Sequence, residues 1–364
     1  MKIFSEIKMN LGKLAIISIL YTVFSSFIVL YENAILTSPY SMGASQLYKA
    51  NTQLLINILI GLFAGIFGGS LLIFVNSKYF RRKSFKHTML TTAVGYILIF
   101  VIITLGITAV ISWNISSNHR EYFETLKRSL EFIVTPNLFI YFIMWGTITL
   151  FTLFMLQVND KFGPGILLKF IRGKYHHPKK EQRIFLFSDM RSSTTIAEKL
   201  GNEKYFNLLN DVYSDITEAI LVNKGEIYQY VGDEIVITWP LIRGVQDGNC
   251  INCFLEIQQK LIDMGSIYMD KYGLIPEMKA GIHHGQVMAG EIGMVKKEII
   301  YSGDVLNTTA RIQESCNKYN VDMLISKETF DLIQNPEIYE LKTLGSIELR
   351  GKERKVDLNT IKMT

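Results

Sequence analysis

The hydrophobic rhythm of the chain changes near its midpoint. In the first half apolar residues come in unbroken runs; from about Arg183 they alternate or recur at helical spacing. Four early runs, Leu14–Tyr31, Leu54–Val75, Thr88–Ile111 and Asn137–Val158, contain no Asp, Glu, Lys or Arg. A helix needs about 20 such residues to cross a bilayer, so residues 1–158 are expected to form a multi-pass α-helical membrane domain with four transmembrane helices. Gly61, Gly65 and Gly69 recur every four residues along one face of the second run, where another helix backbone could approach closely. Residues 159–182, "NDKFGPGILLKFIRGKYHHPKKEQ", combine a Gly-Pro-Gly break with a Lys/Arg cluster and read as an interfacial linker.

Beyond the linker, residues 183–364 alternate strands with helices. "RIFLFSD" is an apolar run fit for a buried strand, "TTIAEKLGNEKYFNLLNDVYSDITEAILVNKG" has helical spacing, and "IYQYVGDEIVITW" reads as a hairpin turning at Gly232-Asp233. "VQDGNCINCFLEIQQKLIDMGSIYMDKYG" reads as one long helix and "PEMKAGIHHGQVMAGEIG" as a strand; "DVLNTTARIQESCNKYN" is a helix followed by the strand "VDMLIS". This alternation predicts an α/β or α+β sandwich around one sheet.

Composition and charge sharpen the picture. Mean hydropathy over the 364 residues is positive, which few soluble domains show. The net charge of +5 comes largely from cations flanking the runs. Lys2, Lys8 and Lys13 precede the first, and Lys78, Arg81, Arg82, Lys83 and Lys86 lie between the second and third without an acid. Positive-inside bias places both termini in the cytoplasm, with anionic lipid headgroups as the partner of these cations. No basic stripe with interleaved aromatics points to nucleic acid. Three cysteines build no disulfide framework; Cys250 and Cys253 read as neighbours one helical turn apart.

The candidate chemistry begins at Asp189, which ends the first strand of the second half. "MRSSTT" follows and opens a helix, so backbone N–H groups near Ser192, Ser193 and Thr194 face an anion beside a carboxylate. If the hairpin lies beside that strand, Asp233 converges on Asp189, and two like charges in oxygen-rich surroundings favour Mg²⁺ or Mn²⁺ between them. Asn307 and Arg311, four apart, share one helix face; Arg offers a planar fork for phosphate and Asn an amide for a hydroxyl. Metal-binding carboxylates, an Arg and an amide make a phosphoryl-transfer set.

"IFLFSDMRSSTTIAEKLG", "YQYVGDEIVITW", "GIHHGQVMAGEIG", "YSGDVLNTTARIQ" and "LRGKERKVDL" resemble, in order and spacing, the blocks of the class III nucleotidyl cyclases, the adenylate and guanylate cyclase catalytic domain. The likeness runs from Ile184 to Leu358. It implies a ferredoxin-like βαββαβ core, an antiparallel sheet with flanking helices. It further implies Asp189 and Asp233 as ligands of two Mg²⁺ or Mn²⁺ ions per active site, the carbonyl of Met190 as another ligand, and Asn307 and Arg311 as transition-state residues. Lys352 matches a phosphate-contacting lysine. The family pairs two domains head to tail, each site taking metals from one partner and the Asn and Arg from the other, which implies a homodimer; the glycine face of the second run fits that pairing. A membrane bundle, linker and cyclase domain is similar to the layout of bacterial receptor-type cyclases.

At the base-selecting positions the chain departs from both family patterns. Adenylate cyclases commonly carry Lys with Asp or Thr, and guanylate cyclases Glu with Cys. Here the positions are Gln229 and Ile300, with Ile299 and Tyr301 one residue either side of the second. Gln both donates and accepts, so it selects weakly between adenine and guanine. The expectation is an adenylate cyclase making cyclic AMP from ATP at the inner or plasma membrane, for intracellular signalling. GTP, a pyrimidine triphosphate and a noncatalytic nucleotide-binding membrane sensor stand as alternatives.

Overall fold

A computed structural model of the chain describes residues 2–36, 50–78, 85–115, 123–124, 127, 136–162, 173–348 and 355–362. The chain divides into two compact units, Met1–Phe162 and Gly163–Thr364.

The first unit is helical: α1 (Lys2–Leu36), α2 (Ala50–Lys78), α3 (Phe85–Ile115) and α4 (Pro136–Phe162). Among the described residues, three segments are long and apolar enough to cross a membrane, Leu11–Leu36, Asn51–Ile73 and Phe139–Asn159; Lys86–Ile102 in α3 is a shorter apolar stretch. The glycine face of α2 packs within the unit. A Cβ on Gly61 would overlap Ser25 and Thr22 of α1, and one on Gly65 would overlap Ser18. The expectation that this face serves self-association is therefore corrected: small residues on both helices let α1 and α2 close together, and Ser25 Oγ donates to Asn57 O at 2.7 Å.

The second unit runs β1 (Lys179–Met190), α5 (Ser193–Leu200), α6 (Asn202–Val222), β2 (Glu226–Val231), β3 (Glu234–Pro240), α7 (Leu241–Val245), α8 (Asn249–Asp263), α9 (Gly265–Tyr272) and β4 (Met278–Ile292). It continues through β5 (Glu298–Ser302), α10 (Asp304–Tyr319), β6 (Met323–Ser326), α11 (Lys327–Phe330), β7 (Glu340–Ile347) and β8 (Val356–Lys362). One eight-stranded sheet has the order β2-β3-β1-β4-β6-β8-β7, with β5 attached to β4. Its first four strands and the helices between them follow the βαββαβ pattern. The sheet is not wholly antiparallel, however: β4 and β6 pair in parallel, because the α10 crossover returns the chain in the same direction.

Two helices expected to be continuous are broken. Gly201, at φ +73°, ends α5 in a conformation that only glycine adopts freely, and α6 starts anew. The long helix expected over residues 245–273 divides at Met264 into α8 and α9, after a turn in which Asp247 and Gly248 have positive φ.

Alternation along β1 sorts its side chains between two cores. Ile184 and Leu186 face α6 and α8, among Leu208, Ile216, Phe254 and Ile257. Phe185 and Phe187 face the other way, toward Val305 of α10 and Tyr301 of β5. Cys250, Cys253 and Cys316 are buried free thiols.

Arg183 lies on this second face and is fully buried. Its guanidinium donates to Glu181 at 2.9 Å, Glu226 at 2.7 Å and Thr238 Oγ1 at 3.0 Å, and lies 4.6 Å from the Tyr301 ring centre. Four strands thus share one cation.

Candidate active site

Asp189 stands near the end of β1, opposite Glu234 on β3 and Lys279 on β4. The β1–β3 register that pairs Ile184 with Trp239 and Phe187 with Val236 also brings the β2–β3 turn to the end of β1. Gly232, at φ +62°, makes that turn, and Tyr213 Oη donates to its carbonyl at 2.9 Å. Asp233 consequently reaches hydrogen-bonding range of both Asp189 and Ser193. The expected convergence of the two aspartates therefore occurs.

The electrostatics of this corner favour a cation. Burial, then hydrogen bonding and repulsion from Asp233, pushes Asp189 up to about 6. Burial opposes ionisation of Asp233 too, but hydrogen bonds from Asp189, Ser193 and its own backbone N–H leave its pKa below the usual value. Glu234 is pushed up to about 7 by burial and then by Asp189, Asp233 and Glu314. Lys279 partly offsets this excess, its Nζ 3.3 Å from Asp189 Oδ2. Like carboxylates brought together favour either a shared proton or a divalent ion.

The donor set fits Mg²⁺ or Mn²⁺. Both are hard cations that take carboxylate and phosphate oxygens. Among the described residues no group of three His, Cys, Asp or Glu side chains could hold a metal, so remaining ligands would come from backbone, water or a bound phosphate. Met190 is suited to such a backbone role, since its side chain is in the core. Ser192, in a left-handed conformation at φ 54°, precedes α5; Ser193 opens that helix, followed by the exposed Thr194.

Asn307 is exposed on α10. Arg311, one turn on, donates to both oxygens of Glu314, at 2.9 and 2.8 Å. Gln229 is exposed on β2, and Ile300 pairs with Gly290 across β4 and β5. Among the described residues, no hydrogen bond or ion pair joins these four to Asp189 or Asp233. Lys352 lies outside the described residues.

A scan of the sequence matches the family model "Adenylate and Guanylate cyclase catalytic domain" over residues 175–362, just over half the chain. The chain belongs to this family. Cyclase relatives include adenylate cyclase 2 of Rhizobium meliloti (strain 1021), 34% identical over 204 residues, which are 56% of this chain and 56% of that protein. Retinal guanylyl cyclase 2 of Homo sapiens is 29% identical over 174 residues, 46% of this chain and 15% of that one. The chain thus spans about half the length, or less, of these relatives. A bacterial light-regulated adenylyl cyclase structure superposes with a TM-score of 0.51 at 19% identity, covering 59% of this chain and 63% of that one, which shows a shared fold.

Within the cyclase fold, several neighbours of the site could not be found from motifs. Lys279 and Glu234 flank Asp189 only through strand register. Gln313, buried on α10, donates from Nε2 to Asp189 Oδ2 at 3.2 Å. Of the alternatives for the second base position, Ile299 and Tyr301 both pack into the core with Phe185 and Val305, while Ile300 alternates to the other side of β5.

Proposed function

We propose that the chain is a membrane-anchored adenylate cyclase, converting ATP to cyclic AMP and pyrophosphate at sites formed between two copies. The observation that carries this reading is the convergence of Asp189 and Asp233, in a chain of the cyclase family that carries Asn307 and Arg311 apart from them on another element. Four spans, residues 1–158 as a membrane domain, 159–182 as a linker and 183–364 as a cytoplasmic catalytic domain complete the proposal. Signalling inside the cell is its use.

In the reaction the ribose 3′-oxygen forms a bond to the α-phosphorus. The bond from that phosphorus to the oxygen bridging to the β-phosphate breaks, pyrophosphate leaves, and the 3′-hydroxyl proton passes to water. Two divalent ions, when bound, would lower the pKa of that hydroxyl and neutralise phosphate charge. Asp189, Asp233 and the Met190 carbonyl would hold them. The backbone N–H groups around Ser192, Ser193 and Thr194 suit the triphosphate; Lys352 extends the same role. Arg311 from the second copy would offset charge growing on the phosphoryl oxygens, and Asn307 would orient the ribose.

GTP is the second reading, left open by the chemistry at Gln229 and Ile300. An amide presents both donor and acceptor, and an isoleucine neither. Purified full-length protein with Mn²⁺ and equimolar ATP, GTP, CTP and UTP separates the cases by mass spectrometry of the products. Cyclic AMP as the main product is expected. Cyclic GMP in excess would overturn the adenylate assignment, and no cyclic product would overturn the enzyme reading.

A further inference from the structure

We propose that Gln313 is a positioning residue for Asp189, fixing which carboxylate oxygen is presented to a divalent cation. The inference rests on the metal-binding reading of Asp189 given above. Gln313 is 4% exposed, and its amide donates to Asp189 Oδ2 at 3.2 Å. Lys279 Nζ approaches the same oxygen at 3.3 Å. With two donors on Oδ2, Oδ1 is the atom left for a cation. A neutral amide suits this task, because it orients the anion without adding a charge that repels the metal.

The amide has little room to move, because α10 is seated directly on the sheet. A Cβ on Gly281 of β4 would overlap the backbone of Gln313, so glycine sets the approach of helix to strand. Cys316, one turn on, is buried, and its thiol donates to Ala280 O at 3.3 Å. The buried face of α10 therefore braces Asp189 of its own protomer. The opposite face carries Asn307 and Arg311, which the proposed pairing gives to the partner's site. One helix thus ties the metal side of one site to the transition-state side of the other.

The test is Mn²⁺ binding to the full-length protein, followed by electron paramagnetic resonance. It is made in the presence of the 3′-deoxy analogue of whichever triphosphate the wild type turns over, so that no reaction occurs. Gln313→Met keeps the length of the side chain and removes the donor. Its Mn²⁺ affinity is expected to fall about tenfold or more, the usual effect of losing a partner behind a metal ligand, while the affinity for the analogue at saturating Mn²⁺ stays near that of the wild type. Cys316→Ala loosens the same helix without touching Asp189 and is expected to keep its Mn²⁺ affinity. Unchanged Mn²⁺ affinity in Gln313→Met, with Asp189→Asn clearly weakened, would overturn the inference alone. An equal loss in Cys316→Ala would make Gln313 a packing residue and would overturn the positioning role as well. Wild-type Mn²⁺ affinity in Asp189→Asn would overturn the metal reading and this inference together.

Discussion

Asp233→Asn is expected to lower turnover by about a thousandfold while leaving the protein folded and dimeric. The magnitude follows from removing a metal ligand whose charge stabilisation is worth roughly 4 kcal/mol in the transition state, at about 1.4 kcal/mol per factor of ten. The side chain sits at a hairpin tip, outside the hydrophobic cores. Removing its charge relieves repulsion that helps raise Asp189 to about 6 and Glu234 to about 7, which offsets the loss of the hydrogen bonds that hold its own pKa low. The heat resistance of the variant should therefore stay near that of the wild type. Loss of activity without loss of stability is the signature of a residue kept for chemistry. Initial rates beside a thermal melt would show it; turnover within tenfold of the wild type would undo the assignment of Asp233.

Arg183→Ala is expected to have the opposite profile. The guanidinium is fully buried, and its removal takes from Glu181 and Glu226 the cation they share, leaving Glu181 with the half-exposed Lys174 at 3.0 Å. Breaking one partner out of a buried ion cluster costs about 3–5 kcal/mol. Both carboxylates keep about a fifth of their surface in water, so the lower end applies, roughly 3 kcal/mol or about 10 °C in the midpoint of thermal inactivation. Replacing Arg183, Glu181 and Glu226 together by Met, Leu and Leu is expected to recover most of that loss, since apolar side chains can fill such a site without stranded charge. A single variant as heat-resistant as the wild type would mean that the cluster stabilises nothing.

Much of the architecture was legible because it depends on local pattern. The β1 run, the hairpin and the α10 helix each carry their own period, and Asp233 could be placed at a turn from Gly232 alone. What the chain order could not give was register. Lys279 is an unremarked lysine in "PEMKAG" until β1 and β4 pair Asp189 with it. Gln313 reads as one more polar residue of an amphipathic helix until α10 is laid on Gly281. Arg183 opens the apolar run "RIFLFSD"; its pairing with Glu226 depends on another strand, 43 residues away. The glycines of α2 announced a close helix contact correctly but not its partner, because Ser18 and Ser25 of α1 offer the same small surface that a second copy would. The break at Gly201 was masked by apolar spacing that continues on both sides of it.

The proposed division of each site between two copies gives the most direct test. Asp233→Asn and Arg311→Ala chains, each nearly inactive alone, are co-expressed with different tags and the mixed dimers are purified in full-length form. In a head-to-tail pair one site of the mixed dimer carries both lesions and the other carries none. The mixed dimer should then show about half the wild-type turnover, as one of two equivalent sites is intact. Turnover as low as that of either parent, in a verified mixed dimer, would contradict the shared site.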